Sequence, residues 1–461
     1  MNELTDPRLF KESDIYLAPL CLLILMIIAY KARAKYRGTE IERYFFPGLI
    51  LRFIFSIFFA LVIQFYYGYG DTFMYYRATQ DMHRAVSDDF ANLFVLLRST
   101  KLFPTHPLYA YFMYDGGAYT DLYMRIPNNF SVPKFALPFS LAFSKSYMCI
   151  SFCICLFSFA GCWRMFKAFY FLYPALRQKI AIAVLFLPSV LFWGQGLSKD
   201  SICIGALGFV VHSLYKIFIV KKKTMISVLL LVINAYLLIS IKSYILLAFA
   251  AAFAIALFLT LNKKIENRYL RIASMFIFVG GALTAGFFLI NTLTSFESSS
   301  QFAVDNILQT VQGVQSGYEA VAGEGSYFTV GEVDNSLGSV ISLFPLGVIT
   351  TLFRPLLWEV RNPLMLFSAA EALLFLVMTI MILRKVGVRK SIGIILSNPV
   401  ALLCLFFTLI FAGFVGITTS NFGSLARYKI PCLPFYLMTL FILMHQSGKF
   451  KKGYIFSKRF L

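Results

Sequence analysis

The sequence predicts an all-α polytopic membrane protein, and three observations carry that prediction. Hydrophobic residues make up 59% of the 461-residue chain and charged ones only 14%, more apolar side chain than one soluble core can hide. The mean hydropathy is +0.74. Apolar runs long enough to cross about 30 Å of hydrocarbon recur along the chain, separated by short stretches in which Lys and Arg collect. A net charge of +20 gathered in one soluble patch would attract nucleic acid, but here it is scattered among these stretches. Topology accounts for it, and no nucleic-acid partner is expected; the lipid bilayer is. The 51 Phe and 26 Tyr suit lipid-facing helices and aromatic belts. Cys21, Cys149, Cys153, Cys155, Cys162, Cys203, Cys404 and Cys432 fall in or beside apolar runs without paired metal spacing, and are expected to be small core residues.

Taken in order, the first run, 15–30, precedes Lys31, Arg33, Lys35, Arg37 and Arg43, which belong in the cytoplasm. No small-residue cleavage site follows it, so no cleaved signal peptide is expected. The N-terminus then lies outside, and the second run, 46–65, brings Asp71 to the outer face. Residues 69–144 contain no run long enough to span but are rich in Tyr and Phe and punctuated by Pro104, Pro107, Pro127, Pro133 and Pro138. They predict a first external loop with one or two interfacial helices. A span at 146–163 ends toward Arg164 and Lys167, and spans at 180–197 and 201–220 turn tightly around Lys199 and Asp200 on the outside. Runs 225–241 and 244–261 predict a hairpin with Lys242 at its external tip.

Run 272–293 leads to a second external loop, 295–362, acidic through Glu297, Asp305, Glu319, Glu324, Glu332 and Asp334. Within it, 339–357 is apolar enough to span but holds Pro345, Gly347, Arg354 and Pro355. The next run, 363–383, ends in Arg384, Lys385, Arg389 and Lys390 and must enter the cytoplasm, so 339–357 is expected to be re-entrant or interfacial. Spans at 399–418 and 430–444 bring the total to about eleven, with the N-terminus out, the C-terminus in and a single integral membrane domain over 1–461.

On this topology the unusual polar residues share the external side. They are Asp71 with Arg77, Lys199 with Asp200, Lys242, then Arg354, Glu359 and Arg361 in LFRPLLWEVRN, and Asn421, Arg427 and Lys429 in SNFGSLARYKIP. External cations run against the positive-inside tendency, and a phosphate or diphosphate head group on a lipid carrier would supply the missing charge. Internal pairing is the alternative: Arg354 or Arg361 with Glu359, and Glu371, inside a span, with one of these bases. Asp71 is either a functional acid at the lip of a membrane pocket or a helix cap, because Gly68 and Gly70 end one helix and the chain can restart immediately afterwards. His83 and His106 lie in the first loop, where a lone histidine is ordinarily solvated.

Three stretches carry a resemblance. The run YYGYGDTFMYYRA, 66–78, delivers an acid to the first external loop and follows it with Tyr75, Tyr76 and a small residue; PSVLFWGQGLSKDS spans 188–201, and ARYKIPCLPFYLM spans 426–438. In order and on one side, they resemble the multispanning C-type (GT-C) glycosyltransferases that use polyprenyl-phosphate sugars. LFRPLLWE and SNFGSLARYK also look like stretches of bacterial envelope proteins linked to surface polysaccharide, polymerase-like members among them. The resemblance implies a multi-pass enzyme of the bacterial inner membrane with its site facing the periplasm. It implies Asp71 as the base that deprotonates an acceptor hydroxyl on a glycan, lipid or protein, and Arg354, Arg427 and Lys429 as the cations that hold the departing lipid phosphate, with Lys199 and Lys242 as further candidates. Tyr75, Tyr76, Asp200, Glu359 and Asn421 would line the sugar and acceptor pocket. Two departures stand out: the acid follows the second run rather than the first, and Thr72 stands where many members carry a second acid. No cofactor is therefore assigned, and a divalent metal is left open. A polysaccharide polymerase or ligase would lean on Arg427 and Arg354 instead, and a lipid-linked sugar transporter would show internal repeats, which this sequence does not.

Overall fold

A computed structural model describes residues 8–113, 120–221, 224–278, 280–281, 327–328, 331 and 337–450. The acidic residues assigned to the second external loop, most of run 272–293 and the basic tail after residue 450 lie outside the described residues. Among the described residues all regular secondary structure is helical. Among the described residues seven helices are long and apolar enough to cross a membrane, or eight if the bent pair Phe422–Tyr428 and Leu433–Gln446, which meet at 64°, forms one span. The chain is a multi-pass membrane protein.

Of the about eleven expected spans, one lies mostly outside the described residues, and local chemistry shapes three others. The expected span at 180–197 is broken into Arg177–Leu185 and Pro188–Trp193, because Pro188 cannot donate to the preceding turn and biases Leu187 away from the helical region. The two runs expected as a hairpin form Thr224–Asn262, 39 residues whose helix is interrupted at Lys242 (φ −146°, ψ 76°). At 1.5 Å per residue that is about 58 Å, nearly twice the hydrocarbon thickness. Lys242, expected at the external tip of the hairpin, is buried at this interruption. The re-entrant candidate is the helix Leu337–Phe353, whose described apolar stretch, Ile341–Phe353, is shorter than a span.

By its internal packing the chain divides into two compact units, Met1–Arg177 with Val184–Ser243, and Gln178–Ala183 with Tyr244–Leu461. In the first, Tyr147–Leu172 is the central helix, buried along most of its length, and Lys199–Tyr215 lies against it. The two backbones nearly touch: a Cβ on Gly161 would stand 2.0 Å from the Gly205 carbonyl oxygen, and one on Gly208 2.2 Å from that of Gly161. Where lipid is as apolar as leucine, such close approach supplies the contact energy that water would otherwise drive. Asp14–Arg33 and Glu42–Leu61 also pack on the central helix and turn Leu20, Leu23, Ile27 and Ile54 outward.

Residues 69–144 hold five described helices rather than one or two: Asp71–Asp88, Asn92–Arg98, Tyr109–Phe112, Thr120–Met124 and Pro127–Ala142. Asp71–Asp88 buries Thr72, Tyr75, Tyr76, Thr79, Met82 and Val86, a stripe at helical spacing that packs on Pro127–Ala142. His106, expected to be solvated, is buried. Its Nδ1 accepts from the Leu108 amide at 3.1 Å, so Nε2 carries the proton toward Ser99 Oγ at 2.7 Å. His83 Nδ1 lies 3.0 Å from Ser140 Oγ.

The second unit repeats the glycine device. Leu337–Phe353 lies along Pro399–Thr418, and a Cβ on Gly416 would stand 2.0 Å from the Gly347 carbonyl oxygen. Thr351 Oγ1 donates to the Ala412 carbonyl at 2.7 Å beside it. Phe249, Phe407, Phe411 and Phe435 form an aromatic core there, with neighbouring ring centres 4.6 to 5.9 Å apart. All eight cysteines are buried.

Candidate functional site

Gly68 (φ 69°) and Gly70 (φ 127°) adopt backbone conformations that side chains other than glycine's resist. They end the π-helical turn Val62–Tyr67 and let Asp71 open the next helix, where the exposed amides and the helix dipole favour a carboxylate. Asp71 is half-buried, and the Tyr123 hydroxyl donates to its Oδ1 at 2.7 Å. The same hydroxyl stands 3.3 Å from that of Tyr75, which reaches Asn129 Oδ1 at 3.5 Å. Asn129 is held in place by its own amide, which donates to the Tyr123 carbonyl at 3.0 Å.

At the far end of this chain of contacts is Lys199. Its ammonium donates to Asn128 Oδ1 at 2.6 Å and to Asn129 Oδ1 at 2.5 Å, and among the described residues it makes no ion pair within 4.0 Å. It is close enough to Asp71, Asp200 and Lys242 to feel all three charges. Ser198 caps its helix by accepting from the Ser201 amide. Asp200 turns inward and pairs with Lys242 at 2.5 Å, with side-chain exposures of 1% and 8%. Five of the predicted residues, Asp71, Tyr75, Lys199, Asp200 and the unexpectedly buried Lys242, thus gather in the first unit. Tyr76 faces elsewhere: its hydroxyl donates to the Lys145 carbonyl at 2.8 Å and its ring packs edge-on to Tyr147. Tyr75 is 0% exposed and Tyr76 3%, so neither ring, as packed, presents a face to a ligand.

The remaining predicted residues belong to the second unit. Arg354 Nε donates to both oxygens of Glu359, at 3.0 and 3.2 Å, and Nη2 adds a further bond to the same carboxylate. The Leu356 amide donates to it at 2.7 Å. Burial works against ionisation of Glu359, but the Arg354 hydrogen bond, the Leu356 amide and the guanidinium's charge together outweigh it and hold the carboxyl below its ordinary range. The guanidinium also lies 4.9 Å over Phe328 and 5.2 Å over Phe422, themselves stacked at 4.4 Å. Of the two pairings left open for Glu359, the one with Arg354 is formed, while Arg361 is exposed. Asn421 caps Phe422–Tyr428 by accepting from the Gly423 and Ser424 amides. Lys429 is 0% exposed, donates to the Arg354 carbonyl at 3.2 Å and lies within reach of the charge of the buried Glu371. Arg427 sits half-buried in the last turn of its short helix.

Sequence reasoning missed Tyr123, Asn128 and Asn129. The signal was the run LYMRIPNN, in which Pro127 starts a helix and places two adjacent amides in its first turn. Among the described residues, no three His, Cys, Asp or Glu side chains are placed to hold a metal ion. Compared with protein-family models, curated proteins and solved structures, the chain matches none.

Proposed function

We propose that this chain is a membrane glycosyltransferase that moves a sugar from a polyprenyl-phosphate carrier to an acceptor hydroxyl at the periplasmic face of a bacterial inner membrane. In this reading the Asp71 carboxylate takes the acceptor's proton as the acceptor oxygen bonds to the anomeric carbon. The bond from that carbon to the phosphate oxygen breaks, and the phosphate leaves with the electron pair. Lys199 stabilises the charge that develops on it. One observation carries the reading: a half-buried carboxylate and an ammonium held by amide oxygens rather than by a carboxylate are joined through two residues, Tyr123, whose hydroxyl donates to the carboxylate, and Asn129, whose amide donates to the Tyr123 carbonyl and whose oxygen accepts from the ammonium. An ammonium without a paired carboxylate keeps its attraction for an incoming phosphate. Arg354, on which a polymerase or ligase would lean, is already committed to Glu359.

The test is transfer of labelled sugar from a polyprenyl-phosphate donor by purified protein in nanodiscs. Asp71→Asn abolishes transfer and leaves donor binding intact, whereas Lys199→Ala weakens both. A fully active Asp71→Asn protein overturns the assignment.

A further inference from the structure

We infer that the first unit carries a second anion site, built for the phosphate of a membrane lipid, at the opposite end of its spans from Asp71. Lys199 and Lys216 open and follow the same α-helix, which separates the two places by about 25 Å at 1.5 Å per residue. At that far end lies a cavity of about 480 Å³ whose walls include Lys35, Arg164, Lys167 and Lys216.

Two of these cations, Arg164 and Lys167, are not the loop charges that topology requires. The central helix continues to Leu172, so Arg164 and Lys167 sit within it, one to two turns short of its end, and both are half-buried. Positive-inside bias is satisfied equally well by solvated lysines beyond the helix, whereas several cations around one cavity repel each other and lose hydration. Arg164, Lys167 and Lys216 all act electrostatically on one another's surroundings and on the buried His212. Their partners among the described residues are neutral: Lys167 donates to the Tyr36 hydroxyl at 3.0 Å, and Arg164 lies 4.7 Å over the Phe209 ring. Glu40, which reaches the Tyr170 hydroxyl at 3.5 Å, is paired with Arg177, and Glu42 with Arg33. Among the described residues no carboxylate lines the cavity, so it concentrates positive charge, and a phosphate supplies the balance.

The other wall says where the phosphate comes from. Ile226 and Leu230 of Thr224–Asn262 line the cavity. Ile226 is 59% exposed and its neighbours Met225 and Leu229 are 89% and 59% exposed, an apolar face that a membrane helix turns to acyl chains. A site with cations on one wall and a lipid-facing helix on the other fits a phosphodiester head group entering sideways from the leaflet.

Native mass spectrometry of protein released from nanodiscs tests this, comparing phosphatidylcholine alone with phosphatidylcholine plus phosphatidylglycerol. Wild-type protein retains phosphatidylglycerol in preference to phosphatidylcholine. Arg164→Gln with Lys167→Gln lowers its affinity about thirtyfold, the effect of two cations at a lipid surface, while Arg164→Lys with Lys167→Arg retains it. Should the double Gln variant fail to fold, Lys216→Gln at the rim gives about a fivefold loss. Retention unchanged by these substitutions overturns the site. Inorganic phosphate bound in detergent as tightly as phosphatidylglycerol overturns the lipid assignment and makes this a soluble-anion site. None of these readouts depends on sugar transfer, so the proposed activity and this site stand or fall separately.

Discussion

The Tyr123 hydroxyl donates to Asp71 Oδ1 at 2.7 Å, joining residues 52 positions apart. Asp71 opens one helix of the segment 69–144 and Tyr123 lies in another, so the acid is oriented by a neighbour that only packing brings to it. A hydrogen bond to a charged group contributes about 1.5 to 3 kcal/mol. Tyr123→Phe should therefore lower sugar transfer about ten- to hundredfold while the protein stays folded, as steady-state transfer and gel filtration would show. Wild-type turnover in that variant would make the phenol a bystander.

The Lys242–Asp200 pair is buried at a helix break. Removing one partner strands the other charge, so Lys242→Ala should cost about 3 to 5 kcal/mol. Replacing both with apolar residues of similar volume, Lys242→Met with Asp200→Leu, should recover most of that. Thermal unfolding in detergent measures both. If the double variant is as unstable as the single one, the loss is of packing rather than of charge balance.

Gly161 faces backbone rather than a flexible side chain, since its added Cβ would stand 2.0 Å from the Gly205 oxygen. Gly161→Ala must push two helices apart and should cost about 1 to 3 kcal/mol or more. Gly393, in Val388–Ser397, has nothing within 4 Å, and Gly393→Ala should be neutral or stabilising by about 0.5 to 1 kcal/mol. Equal unfolding temperatures for the two variants would contradict the close crossing.

Glu359 sets an acid limit on the second unit. Because its folded carboxyl titrates below the ordinary range, the unfolded chain binds the proton more readily. Its contribution is complete above about pH 4.3 and is lost as the pH falls through the lower folded value. Glu359→Gln should be less stable at neutral pH and should lose that part of the acid dependence. Unfolding curves recorded from neutral to acid pH give the comparison, and parallel curves for the two proteins would rule the pair out as a stabilising clamp.

Much of the architecture was legible because its causes are local. The apolar run 399–418 appears as the helix Pro399–Thr418, since a bilayer asks only for length and apolarity. Gly68 and Gly70 announced the break before Asp71, since positive φ is a demand on single residues. The division at Pro188 was also written in the chain, but the run's apolar content hid it.

The sequence by itself determined that the chain lives in a membrane, where most of its spans lie and that Asp71 begins a new helix, because composition, length and proline or glycine chemistry act over a few neighbouring residues. Only the tertiary structure decided that Asp71 is linked to Lys199 through Tyr123 and Asn129, that Lys242 is buried against Asp200, and that Arg164 and Lys167 line a cavity. A hydrogen-bond partner or an unbalanced charge is defined by what folding brings within about 3 Å, and residues far apart in the chain carry no mark of whom they will meet.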